Sequence, residues 1–131
     1  MNIVLVNGCF DLLHLGHLSL LRFAKSKGDL VYVGLDSDAR VRDRKGISRP
    51  INNELTRFAI LSSIIFVDKV FIYDTDYQLE SLIKDFAPKV MVIGREYEGK
   101  PIIGHQFCEK ITFFDTIDGL STTNTINKIL I

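Results

Sequence analysis

Along this chain, short continuous apolar runs alternate with longer segments whose apolar residues recur every three or four positions. Residues 3–6 (IVLV), 30–35 (LVYVGL), 69–73 (KVFIY), 89–94 (KVMVIG) and 111–115 (ITFFD) have the pattern of strands buried on both faces. Residues 18–27 place Leu20, Phe23 and Ala24 at i, i+3, i+4, with Gly28 where a helix C-cap belongs. Residues 54–66 follow Asn53, a good N-cap, and turn Leu55, Phe58, Ala59, Leu61 and Ile65 inward. Thr75 and Gln78 have capping-box spacing ahead of Leu79, Leu82, Ile83 and Phe86, and Pro88 ends that helix. Residues 122–130 close the chain with a helix on Ile126, Ile129 and Leu130, while 40–49 read as a loop. The alternation predicts an α/β fold: one domain over residues 1–131, a doubly wound five-stranded parallel sheet with helices on both faces.

Such sheets hold ligands beyond the carboxyl ends of their strands. The segment there after the first strand is NGCFDLLHLGH, residues 7–17. Gly8 permits a sharp turn and Gly16 a close backbone approach. His14 and His17, three apart on a turn entering a helix, can point to one spot beside the helix's free N–H groups, an arrangement suited to phosphate. The plainer alternative is a pair of capping histidines. Cys9, His14, His17 and His105 fit no standard zinc spacing, so no metal site is expected. Cys9 reads as a small apolar residue rather than a nucleophile.

Three further segments lie on the same edge. Residues 40–49 (RVRDRKGISR) set Arg40, Arg42, Arg44, Lys45 and Arg49 against Asp43, a local +4, and Lys45 beside Gly46 is the favoured phosphate holder. DGLSTT, 118–123, follows Gly119 with Ser121, Thr122 and Thr123 at a helix start, which suits either phosphate or simple N-capping. GREYEGK, 94–100, matches G-x-x-x-x-G-K, but Pro101 stands where a P-loop needs Ser or Thr, and Glu96 and Glu98 would face the phosphates.

Composition changes this picture little. The chain has 131 residues, 47% hydrophobic and 24% charged, which excludes disorder and collagen-like classes. Sixteen Lys+Arg against sixteen Asp+Glu leave no net field for nucleic acid or membrane. Uncharged stretches stop near about ten residues, short of the roughly 20 a membrane helix needs. The opening MNIVLVNG has no basic n-region, and two cysteines make no framework, so a soluble cytoplasmic protein is expected.

VNGCFDLLHLGH resembles the H-x-G-H signature, and DGLSTTNTI the S-T-T segment, of the small nucleotidyltransferases of the cytidylyltransferase-like superfamily. LDSDARVRDRKGISRPIN and the two motifs look most like the adenylyltransferase domain of ADP-heptose synthases. EYEGK resembles instead a segment of glycerol-3-phosphate cytidylyltransferases. The first branch has Lys-Gly-Gly-Asp-Tyr where this chain has Ile93-Gly94-Arg95-Glu96-Tyr97; the second has an arginine where this chain has Thr116.

The resemblance implies a Rossmann-like fold and attack by a substrate phosphate on the α-phosphorus of a nucleoside triphosphate, ATP or CTP, releasing pyrophosphate. In that scheme His14 and His17 stabilise the transferred phosphoryl group and Lys45 holds phosphates. Gly8, Cys9, Phe10, Asp11 and Gly16 lie against the nucleotide and Arg57 helps bind it. Gly119, Ser121, Thr122 and Thr123 hold the triphosphate tail. Mg2+ bridges the phosphates with few or no protein ligands. The partners implied are a small phosphorylated acceptor and a second copy of the chain; any sugar kinase is a separate protein. A nucleotide-binding sensor without turnover is the non-enzymatic alternative, disfavoured by the presence of both histidines.

Overall fold

The computed structural model describes residues 1–115 and 121–130. Five strands, β1 (Ile3–Gly8), β2 (Leu30–Asp36), β3 (Lys69–Tyr73), β4 (Val90–Gly94) and β5 (Lys110–Phe114), form one parallel sheet in the order β3-β2-β1-β4-β5. The helices are α1 (Leu15–Lys25), α2 (Asp38–Lys45), α3 (Glu54–Ser62), α4 (Asp76–Phe86) and α5 (Thr122–Leu130). Strand order reverses between β1 and β4, and the crevice that binds ligands in such sheets opens above that switch point.

The continuous apolar runs are explained by burial on both faces. In β1, Val4 and Val6 join Val31, Val33 and Leu35 of β2 in a core closed by Leu21 and Ala24 of α1 and Leu61 of α3. Leu5, pointing the other way, joins Phe71 and Met91 under Leu79 and Ile83 of α4. All the inward positions expected in α4 pack there, and Thr75 caps it through the Gln78 N–H at 3.1 Å.

Four expectations are corrected. Residues 38–45 are a helix, not a loop; only Val41 and Arg40 are buried, so no apolar period marked it. It forms because Ser37 caps the Arg40 N–H at 3.2 Å and Arg40 is pinned by Asp36 at 3.2 Å and Asp76 at 2.8 Å. Helix α1 starts earlier, at Leu15, and is capped at its end by Ser26. Gly28 serves close packing instead, since a Cβ there would lie 2.7 Å from Val4 Cγ2. Helix α3 stops at Ser62, and of its inward set only Leu61 is buried: Leu55 is 72% exposed and Ile65, beyond its end, 87%. In α5, Ile126 is half-buried but Ile129 and Leu130 are exposed.

Candidate active site

The β1–α1 loop, the end of α2 and the start of α5 converge above the switch point around a cleft of about 400 Å3. His14, His17, Lys45 and Ser121, Thr122 and Thr123 line it, with Gly8, Cys9, Phe10 and Gly16 on the loop side. The loop gets there by left-handed backbone at two non-glycine residues, Phe10 (φ 51°) and Leu12 (φ 50°), a conformation kept mainly where surrounding structure enforces it. The sharp turn therefore lies at these two residues. Gly8 instead accommodates the Phe10 ring, 3.3 Å from where a Cβ would stand.

The two histidines cap α1 and line the cleft at once. His14 is the N-cap residue, and its Nδ1 accepts the Gly16 N–H at 3.0 Å; His17 Nδ1 accepts the His14 N–H at 3.2 Å. A ring nitrogen that accepts carries no proton, so the proton of each neutral imidazole is assigned to Nε2. The rings stack with centroids 4.0 Å apart. Burial lowers the pKa of His14. Burial, with the neighbouring His14 and Lys45, pushes that of His17 down to about 4. Both are neutral at pH 7, and each retains one Nε2–H donor after its Nδ1 has been spent on the cap. The capping and phosphate readings are thus not alternatives.

Ser121 Oγ accepts the Asn124 N–H at 3.0 Å and so caps α5. Gly119 lies outside the described residues. Burial pushes the Cys9 thiol up, away from the thiolate a nucleophile needs.

Two of the residues expected to contact the nucleotide are engaged with the scaffold. The Asp11 carboxylate is wholly buried and accepts the Ile51 and Asn52 N–H groups at 2.6 and 2.9 Å, while its main-chain carbonyl accepts the Thr122 hydroxyl. Arg57 is also buried. It donates to the carbonyls of Asn52 (2.9 Å), Cys9 (2.9 Å) and Asp36 (2.8 Å) and to Asp38 Oδ1 (2.7 Å). That one guanidinium ties the β1–α1 loop to the end of β2, the start of α2 and the start of α3. Breaking such a buried pair from one side costs about 3–5 kcal/mol.

A second cavity, of about 450 Å3, adjoins the first and shares Asn7, Gly8, Cys9 and Lys45 with it. Its floor is a network that the sequence reading passed over. Asn7 Nδ2 donates to Tyr73 Oη at 3.2 Å, and Arg40, paired with Asp36 and Asp76, lies 5.1 Å over the Tyr73 ring. The Arg40 charge is therefore offset. Arg44 and Lys45, on the same wall, make no ion pair among the described residues. Val41, Leu79, Ile102 and Ile103 supply the apolar side. The only available signal was position: Asp36 and Tyr73 end their strands on the ligand edge.

The segment after β4 closes on itself and lines the cleft through Gly94, Glu96 and Tyr97. Arg95–Tyr97 is a single 3₁₀ turn, Arg95 pairs with Asp115 and with Glu98, and Lys100 Nζ lies 5.7 Å over the Tyr97 ring. Among the described residues no three His, Cys, Asp or Glu side chains gather to hold a metal, and no helix is long and apolar enough to cross a membrane.

Fold and site define a doubly wound α/β protein with a cleft at its switch point lined by two histidines, a lysine and a hydroxyl-bearing helix start. Within that class the chain belongs to the cytidylyltransferase-like family, which matches residues 5–123. It is 47% identical over 126 residues to the bifunctional protein HldE of Campylobacter fetus subsp. fetus, covering 96% of this chain and 27% of that protein. It is 46% identical over 129 residues to the bifunctional protein HldE of Aliarcobacter butzleri, covering 97% and 26%. The chain thus spans about a quarter of the length of these curated relatives. Among solved structures, a lipopolysaccharide core biosynthesis protein from Thermoplasma volcanium superposes with TM-score 0.75 at 26% identity over 90% of this chain and 99% of that one. A pantoate-beta-alanine ligase from Francisella tularensis shares the fold, with TM-score 0.58 at 18% identity over 98% of this chain and 71% of that one.

Proposed function

We propose that residues 1–131 form one nucleotidyltransferase domain that transfers AMP from ATP to a sugar phosphate of the heptose 1-phosphate class and releases pyrophosphate. Family membership, the identity to HldE proteins and the motif resemblance to ADP-heptose synthases support this reading. One observation carries it: two adjoining cavities share Lys45 and residues 7–9 and differ in chemistry. The cleft with paired imidazoles and the α5 start suits a triphosphate. The cavity with Arg44, Asp36, Asn7 and Tyr73 suits a phosphorylated polyol.

In this reading the acceptor phosphate reaches the α-phosphorus across the shared wall. Its oxygen forms the new P–O bond as pyrophosphate leaves with the electron pair of the old one. The chain supplies position and charge, with no covalent intermediate. Charge growing on the α-phosphoryl oxygens meets the Nε2–H donors of His14 and His17, and a preorganised donor of this kind is worth about 2.7–4 kcal/mol. Lys45 spans both phosphates. Glu96 is the one carboxylate among the described residues lining the cleft, since that of Asp11 is spent on backbone. Mg2+ arriving with the nucleotide would offset phosphate charge, and Glu96 would be the carboxylate at hand to meet it. Pairing of two chains and a cytoplasmic location, where ATP and sugar phosphates occur, belong to the same reading.

The test is a matrix of nucleoside triphosphates against phosphorylated acceptors with pyrophosphate as the readout. ATP with a heptose 1-phosphate is expected to be the best pair. CTP with glycerol 3-phosphate as the best pair would move the chain to the other branch. Nucleotide binding with no pyrophosphate from any pair would leave only a sensor.

A further inference from the structure

Two arginines near the start of α3 have little side-chain exposure, and they differ in one respect. Arg57 makes four hydrogen bonds. Arg49, with a side chain 11% exposed, has Nε and Nη2 buried without any hydrogen-bond partner, alone in this among the described residues. Its nearest carboxylate oxygen, Asp11 Oδ2, is 4.0 Å from Nε and already accepts the Ile51 N–H at 2.6 Å. That ion pair holds the charge in place but satisfies no donor. The one side-chain hydrogen bond Arg49 makes among the described residues is from Nη1 to Thr123 Oγ1, at the outer limit of 3.5 Å. A buried charged group with unmade hydrogen bonds destabilises the fold that contains it.

The position of this guanidinium gives it a use. Thr123 belongs to the start of α5, and Ser121, Thr122 and Thr123 line the cleft. Arg49 is not among the residues lining it, and its guanidinium reaches the turn through Thr123. The Thr122 hydroxyl is tied to the Asp11 carbonyl in the same cluster. Anything that draws residues 121–123 inward changes what Arg49 can bond. We propose that Arg49 is a positioning residue for the triphosphate: its guanidinium, under-satisfied in the free protein, completes its hydrogen bonds when a polyphosphate seats on residues 121–123. The cost of burying it is relieved on binding, and its charge reinforces the turn through Thr123. This rests on the nucleotide reading of the cleft.

The experiment compares the full chain with Arg49→Gln and Arg49→Lys. Thermal midpoints are taken with and without ATP and Mg2+, and KM for ATP and for the acceptor is measured separately by pyrophosphate release. Without nucleotide, Arg49→Gln is expected to melt at or above the wild-type midpoint, because an under-satisfied buried charge is gone. Its ATP-induced rise should shrink, and KM for ATP should increase about tenfold, the scale of one charge-assisted hydrogen bond. KM for the acceptor should hold within about twofold. Arg49→Lys, which keeps the charge, should recover most of the ATP-induced rise.

A merely structural arginine gives the reverse pattern: an unfolded chain or a lower nucleotide-free midpoint for Arg49→Gln, with ATP response and KM for ATP unchanged in whatever folds. That result, or equal increases in both KM values, overturns the proposal. A wild-type chain that neither binds ATP nor releases pyrophosphate removes the nucleotide reading and this inference with it. A responsive wild type matched by Arg49→Gln removes the inference alone.

Discussion

His17 couples the fold to the cleft through a single proton. Its pKa is pushed down to about 4 by burial and by neighbouring His14 and Lys45, against about 6.5 in an unfolded chain. As pH falls, the unfolded state takes up the proton first. The stability contributed by the neutral ring is therefore fully present above about 6.5 and lost progressively as pH drops toward 4, up to about 3 kcal/mol. His14, shifted the same way, adds to the trend. Chemical unfolding at pH 7 and pH 4.5 should show a smaller loss for His17→Gln than for wild type, by about 2 kcal/mol. Equal losses would mean that the ring is not held neutral by its surroundings. The spacing of the two histidines was legible in the sequence because the chemistry is local. The division of labour between Nδ1 and Nε2 was not, because it depends on a helix starting at Leu15. The scaffold partners of Asp11 and Arg57 were not legible for a related reason. The Asp11 carboxylate accepts from backbone groups 40 and 41 residues away, and two of the four Arg57 hydrogen bonds go to carbonyls 21 and 48 residues away.

At the scale of elements, apolar periodicity identified what packs on the sheet and missed what stands at its edge. Strands and α4 were legible since every inward position meets the core. Helix α2 was not, because charge and capping hold it: Ser37 at the start and Arg40 between Asp36 and Asp76. Its helicity matters for function, since it sets Lys45 at the last turn, where one ammonium lines both cavities. Lys100 follows a single turn and lies over the Tyr97 ring, lining neither cavity. Lys45→Ala should therefore lower kcat/KM by about 10- to 150-fold, the range of a charge-assisted contact worth roughly 1.5–3 kcal/mol. Lys100→Ala should stay within about threefold on the same contact scale. Steady-state kinetics with each substrate varied in turn decides. A silent Lys45 with Lys100 controlling triphosphate affinity would return the triphosphate to the loop after β4.

For the whole molecule, α3 poses the remaining question. Arg57 and Leu61 face inward, while Leu55 and Ala59 lie on the opposite side and Phe58 on the flank, with Leu55 72% and Phe58 37% exposed. An amphipathic surface helix shows charge or polarity there. Apolar residues extend round much of this one, which is why its pattern misled about the inward set, and the second copy proposed above would cover the exposed ones. Ile51 and Ile65, 52% and 87% exposed, flank it in sequence. The chain's balance of sixteen cations and sixteen anions sets up no long-range repulsion between copies. A twofold pairing of α3 with α3 would be self-complementary, and about 800 Å2 per partner suffices for a stable interface. Sedimentation equilibrium should give about twice the 14.9 kDa chain mass for wild type and a single chain mass for Leu55→Glu with Phe58→Glu. The pair of substitutions leaves Arg57 and Leu61 in place, so the circular dichroism spectrum should hold. A monomeric wild type at tens of micromolar, or an undisturbed dimer in the double variant, would mean that this face is covered by something other than a second copy.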